Sequence, residues 1–217
     1  MNKRRILILG ILIGIVALTA GGTIAYFSTS KSVTNTFMIT SYDPENPDPT
    51  PDDLFSIKVY EHNESGEEVN ANEYNNIAPG TTVSKDPTVK NTGEYSAWIR
   101  VKVSFSNAAS WINAMEKHNI TDLVTLFGGY IDNNWYRPNN EYALNVEEDT
   151  LTYTFYYNKA LEKSDAVTLF ETFTIPGEFD AFDMVSLGFF ELKVTADAIQ
   201  HANTGDSAYY AFNNYWK

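Results

Sequence analysis

Histidines at 62, 118 and 201 are the three imidazoles of the chain, which has no cysteine. A hydrolytic zinc centre needs about three nitrogen or oxygen ligands, an open fourth position and a general base nearby. On a helix, two of those ligands come from histidines four residues apart, as in His-Glu-x-x-His, and no such pair occurs. His62 stands beside Glu61 near a turn, His118 ends a short amphipathic segment and His201 follows a strand-like run, so each reads as a surface histidine. A three-histidine site assembled by the fold is the remaining route to metal chemistry. Serine catalysis lacks its Gly-x-Ser-x-Gly elbow, and the absence of cysteine removes thiol nucleophiles, thiolate metal sites and disulfides. Carboxylates gather at Glu147-Glu148-Asp149, at Asp180 with Asp183, and between Asp43 and Asp53. None of these forms an Asp-x-Asp-x-Asp-Gly calcium loop, and solvated acidic loops are the simpler reading. Trp98, Trp111, Trp135, Trp216 and 14 tyrosines offer faces for sugars; Trp98, opposite Ile99 in its strand, is the candidate for an exposed platform, but core or interface is the favoured reading of aromatics in a β-rich domain. The expectation is a protein with no catalytic residue, no cofactor and no metal.

The elements that must position these groups follow from composition and pattern. The chain has 217 residues, 43% hydrophobic and 14% aromatic, enough for one core, and a formal net charge of -13 that repels phosphate backbones and argues against nucleic acid. Lys3, Arg4 and Arg5 precede an apolar run over 6–20, followed by Gly21-Gly22-Thr23-Ile24-Ala25. Thr23 and Ala25 suit the -3 and -1 positions of a signal peptide over 1–25 cut between Ala25 and Tyr26, which predicts a secreted, extracellular protein. The alternative is an uncleaved membrane anchor, since the apolar segment is about the 20 residues a span needs. Residues 26–40 read as an N-terminal strand with Val33, Asn35, Phe37 and Ile39 on one face. Residues 41–53 carry four prolines and five acids, Pro44, Pro47, Pro49 and Pro51 among Asp43, Glu45, Asp48, Asp52 and Asp53. Proline at that density makes a semi-rigid extended linker.

Residues 54–217 form the predicted β-sandwich domain. Phe55, Ile57 and Val59 alternate, then Asn63-Glu64-Ser65-Gly66 turns the chain back. Ala97, Ile99, Val101, Val103 and Phe105 make the longest clean period-two run. Ala108, Trp111, Ile112 and Met115 fall at helical spacing over 107–118. Further strands are predicted over 123–127, 130–136, 151–157, 167–175 and 187–196, and a terminal helix over 207–217. Short strands with turns too tight for crossover helices predict an all-β fold, an antiparallel sandwich with one or two short helices.

One segment is diagnostic. Pro79-Gly80-Thr81-Thr82-Val83-Ser84-Lys85-Asp86 opens with a turn, starts a strand at Val83, and runs through Pro87 to close at Asn91-Thr92-Gly93. Together with the Ala25-Tyr26-Phe27-Ser28 junction and the late run from Leu192 through Ala198-Ile199-Gln200, it resembles the TasA/camelysin family of exported Gram-positive proteins. The motif residues carrying the resemblance are Pro79, Gly80, Val83, Lys85, Asp86, Asn91 and Gly93, while 107–182 adds nothing to it. The resemblance implies a jelly-roll sandwich, a dedicated signal peptidase, and a subunit of extracellular biofilm-matrix fibres joined head to tail. In such fibres the N-terminal strand of one copy completes the sheet of the next. Here Val33, Phe37 and Ile39 would be inserted, with Tyr26 and Phe27 docking earlier. Partners are then a second copy of the chain and the signal peptidase, with other matrix proteins or polysaccharide beside them. Pairing of the strand within its own domain stays open, as do a camelysin-like metallopeptidase and a monomeric adhesin or carbohydrate-binding module.

Overall fold

The computed structural model describes residues 28–33 and 54–216. The expected signal segment, the Ala25–Tyr26 cleavage pair, the donor residues Tyr26, Phe27, Phe37 and Ile39, and the whole of the linker lie outside them. No helix among the described residues is long and apolar enough to cross a membrane.

Three antiparallel sheets surround one core. The first has the order β1-β13-β6-β10-β8, where β1 is Ser28–Val33, β6 Ala97–Ser106, β8 Trp135–Tyr136, β10 Thr150–Tyr157 and β13 Leu192–Gln200; β9, Ala143–Asn145, pairs with the other end of β10. The second joins β11 (Ala166–Thr168), β5 (Thr88–Asn91), β2 (Ile57–His62) and β3 (Glu68–Val69) in that order. The third joins β4 (Thr82–Ser84), β12 (Thr172–Thr174) and β7 (Phe127–Gly128). This is the all-β, sandwich-like class that the alternating patterns predict.

Period-two patterning decides which faces meet. Along β6, Ala97, Ile99, Val101, Val103 and Phe105 are all buried on the inner face. The Phe105 ring sits 5.3 Å from Trp111, 6.2 Å from Phe127 and 5.9 Å from Phe173, while Phe127 stacks on Phe170 at 4.1 Å. Aromatic contact therefore ties the first sheet to the third through α1, Ala108–His118. That helix buries Ala108, Trp111 and Met115 from the expected stripe, and Asn107 turns into it with a left-handed φ of 58°.

Several predicted elements take another form. Residues 123–127 are a 3-10 turn, Leu123–Leu126, before the two-residue β7, because Asp122 accepts the Val124 N–H and winds the chain. Residues 130–136 hold another 3-10 turn, Asp132–Asn134, before the two-residue β8, and 167–175 split into β11 and β12. A third helix stands where a strand was expected to begin: α2, Ala181–Leu187, is started by a capping box in which Asp180 and Asp183 each accept a backbone N–H of the other's end. It leaves Phe182, Val185 and the following Phe189 between 79% and 86% exposed on one side. The terminal helix is α3, Ala208–Tyr215, and it covers the outer face of the first sheet. Trp98 is consequently buried under Ala208, Ala211 and Phe212 at 4% exposure, in keeping with the core-or-interface reading of the aromatics rather than the exposed one.

Truncating Phe105 to Ala should lower unfolding free energy by about 3–5 kcal/mol, read as a shift in denaturant midpoint with an unchanged slope.

Candidate strand-acceptor groove

Strand β13 is paired on both sides, unequally. β6 accompanies it throughout, from Leu192 opposite Phe105 to Gln200 opposite Ala97. β1 accompanies it from Ile199, opposite Ser28, to Val194, opposite Val33. Lys193 and Leu192 have no strand beside them on that second edge among the described residues. At this point the structure opens into a cleft of about 650 Å³. Its apolar walls include Val83 of β4, Phe173 and Ile175 at β12, Met184 of α2, Phe190 and Leu192. Val194 itself is 1% exposed and faces the core, so the cleft prolongs the inner side of the β1 position. A strand edge beside an apolar trough offers what a further length of strand requires: main-chain partners for its backbone and a slot for alternate side chains.

The cleft floor is an ion pair. Lys85 Nζ donates to Glu61 Oε1 at 2.6 Å, with side-chain exposures of 9% and 0%. Asn72 Nδ2 supports it from the β3–β4 loop, donating to Glu61 Oε2 and to the His62 carbonyl, each at 3.2 Å. Tyr74 donates its hydroxyl to the Ser84 carbonyl, and burial, reinforced by the charges of Glu61 and Asp86, pushes that phenol well above its usual range. Glu61 and Asn72 were missed in the sequence. A signal for Glu61 was present, because it continues the 55, 57, 59 alternation into the core face, where an acid must find a cation.

The Pro79–Gly93 segment contributes Val83 and Lys85 to the lining and holds the corner beside it. Pro79 precedes Gly80, whose φ of 80° makes the turn and whose N–H donates to the Ile175 carbonyl at 3.0 Å. Val83 pairs opposite Phe173. Beside the Lys85 ion pair, Asp86 accepts the His62 N–H at 2.8 Å and lies 2.5 Å from His62 Nδ1. Asn91 is 1% exposed and donates to the carbonyls of Tyr95 and Leu161, both at 2.9 Å, while its oxygen accepts the Gly93 N–H at 3.0 Å. A Cβ on Gly93 would fall 2.7 Å from the Ser56 nitrogen, so the strand crossing there needs glycine. All of these contacts lie within the chain; they strap β2 to the β4–β5 corner.

The far wall is held by a clamp between α1 and α2. Lys117 Nζ donates to Asp180 Oδ2 at 2.6 Å and to Asp183 Oδ1 at 2.9 Å, and His118 Nε2 lies 2.7 Å from Asp183 Oδ2. The Asp180 N–H, then Lys117 and His118, hold the Asp183 carboxyl far below the usual carboxylate range. The Asp180–Asp183 pair considered for calcium is thus a helix cap. Asp149 of the Glu147-Glu148-Asp149 run accepts the Ala109 N–H at 3.0 Å.

The histidines are not brought together as ligands. His62 is engaged by Asp86, His118 by Asp183, and His201 by the Trp98 ring at 4.6 Å and Ser96 Oγ at 3.3 Å. Among the described residues no three His, Asp or Glu side chains form a group able to hold a metal ion. Trp98, Trp111 and Trp135 are all buried, so these indoles are core, as the favoured reading of them expects, and not sugar platforms. Comparison of the chain with protein-family models, with curated proteins and with solved structures returns no match.

Replacing Lys85 by Met strands a buried carboxylate and should cost about 3–5 kcal/mol; adding Glu61→Leu should restore much of it in chemical denaturation. The clamp has its own pH signature. Because the folded Asp183 carboxyl titrates below its unfolded value of about 4, its contribution is full above that pH and is lost as pH falls further. Asp183→Asn should flatten the decline of melting temperature below about pH 4.

Proposed function

We propose that the chain is a secreted structural subunit of extracellular fibres or biofilm matrix, built on a jelly-roll sandwich and polymerising by exchange of its N-terminal strand. The observation that supports this reading is the apolar cleft beside Leu192 and Lys193 of β13, directly beyond the last described β1 pair, Val33 with Val194. Continuing the β1 register would set Asn35 opposite Leu192 and Phe37 opposite Phe190, with Phe37 and Ile39 on the same face as Val33 and over the cleft. In the isolated chain β1 lies on its own β13. The same bonds are available to the β1 of a second copy, and exchange of an identical element between copies is thermodynamically cheap.

The linker permits that exchange. Leu54 accepts the N–H groups of Glu94 and Tyr95, close to the Ala97 end of the sheet, whereas Val33 lies toward the opposite end. With residues 34–40 laid along the cleft, the spacer is the 13 residues 41–53, and a proline-rich run of that length reaches about 40 Å. That is more than the roughly 30 Å diameter of a small domain, so the strand can leave its own body. A head-to-tail contact of this kind propagates without closing. The motif resemblance points the same way, as do the signal features, whose cleavage by a dedicated signal peptidase would free a new N-terminus two residues before Ser28. Engagement of each histidine by a different partner argues against a camelysin-like metallopeptidase, and the reading assigns the chain no chemistry of its own.

The cis pairing of β1 favours a second reading, a monomeric surface domain. A chain without cysteine separates the two cleanly. Ser32 and Thr195 are register partners, so Ser32→Cys with Thr195→Cys places two thiols across the ladder at a span of about 4.4–6.8 Å that a disulfide accepts. Oxidised filaments of the mature protein should run as a covalent ladder on a denaturing gel, and deletion of 26–40 should abolish filaments in electron micrographs. Filaments whose oxidised subunits run as monomers would overturn strand exchange.

A further inference from the structure

Across the first sheet from β1, at the β8 edge, three tyrosine rings converge on a second cleft of about 310 Å³. Tyr209 of α3 stands edge-on to Tyr136 of β8 at 5.1 Å and to Tyr156 of β10 at 5.3 Å, with interplanar angles of 74° and 90°. Tyr157, Asn158, Ser207 and Ala208 complete the lining. No charged side chain lines the cleft, in a protein whose formal net charge is -13. Tyr136 and Tyr209 remain 43% and 39% exposed.

The rings are held before any ligand arrives. Arg100 is bound to Asp197 by Nε at 2.9 Å and Nη2 at 2.5 Å, and its guanidinium lies 4.4 Å from the Phe212 ring centre and 5.0 Å from that of Trp216. This stack fixes α3 on the sheet, and Tyr156, 6% exposed, packs against Phe212 in the same layer. The Ser207 Oγ caps α3 by accepting the Tyr210 N–H at 3.2 Å, which leaves its own hydrogen for donation. The Asn158 amide nitrogen is spent on the Asn133 carbonyl at 3.0 Å. Its oxygen is an acceptor beside the rings.

We infer that this cleft binds a neutral β-linked hexopyranose chain. Sugars with equatorial substituents have flat C–H faces that stack on electron-rich rings, and hydroxyls around the rim that need neutral donors and acceptors. Tyrosine supplies both in one side chain, and the Ser207 and Asn158 groups add rim partners. The volume is at the small end of ligand clefts, about 300–1,000 Å³, which suits a short stretch of a longer polymer. Affinity per site is accordingly weak, and a fibre repeating the site along its length would gain by multivalency. The inference does not require strand exchange, because the cleft is complete within one chain.

The test is titration of the whole mature protein, as monomer and as any filaments it forms, with cellohexaose, chitohexaose and the anionic hexagalacturonate, followed by calorimetry and tyrosine-region NMR. The expected result is saturable binding of at least one neutral hexasaccharide at about millimolar Kd, with the anionic sugar weaker. Tyr136→Ala with Tyr209→Ala should weaken it about tenfold or more while the melting transition stays cooperative. Tyr210→Ala, exposed but outside the cleft, should leave it unchanged. Absence of saturable neutral-sugar binding, equal binding by the double variant, or preference for the anionic sugar would each overturn the assignment. Filament formation is scored separately by electron microscopy, so failure here and failure of the fibre reading are distinguishable.

Discussion

Backbone amides and carbonyls along a strand need partners on both sides when the strand lies inside a sheet. In this protein that requirement falls on β13. Its inner edge is satisfied by β6 over nine residue pairs, its outer edge by β1 over six. Directly beyond the last described pair, Val33 with Val194, an apolar cleft lined from β4, β12 and α2 lies beside β13. The strand is therefore the structural centre of the first sheet.

Charge plays two roles at that place. The exposed acidic groups give the molecule its overall negative sign, whereas the Glu61–Lys85 pair is removed from water and held by Asn72. A buried pair of this kind contributes little net stability, but it is costly to disrupt, and it ties β2 to the segment that follows β4. The motif residues that carry a family resemblance in the sequence are thus explained by internal bonds. They report how the second and third sheets are joined, and the resemblance speaks first to architecture.

Much of the body was legible from alternation. The run from Ala97 to Phe105 and the helix bearing Trp111 were plain because one face of each is wholly apolar, and burial in a two-faced element leaves that mark. The short turns were not. Leu123–Leu126 carries strand-like composition, yet the Asp122 cap winds it locally, while Asp132–Asn134 is turn composition set inside a run read as strand from its apolar ends. The α2 helix was hidden because two acids read as surface charge when they are in fact each other's cap. Trp98 illustrates a different limit: its strand has two faces, and only the arrival of α3 from the end of the chain decides that both are covered. The cleft combines side chains from β4, β12, α2 and β13, a grouping set by tertiary contacts and invisible to local periodicity.

The composition of β1 carries a last consequence. Ser28-Thr29-Ser30-Lys31-Ser32-Val33 contains a single large apolar residue, so its grip on β13 comes mainly from main-chain bonds that are blind to side-chain identity. Such a seam unzips from one end, a bond at a time, without first opening a core. It behaves like a fastener meant to be undone: local fraying is its natural excursion, and release of this single strand leaves the Phe105-centred body beneath it intact.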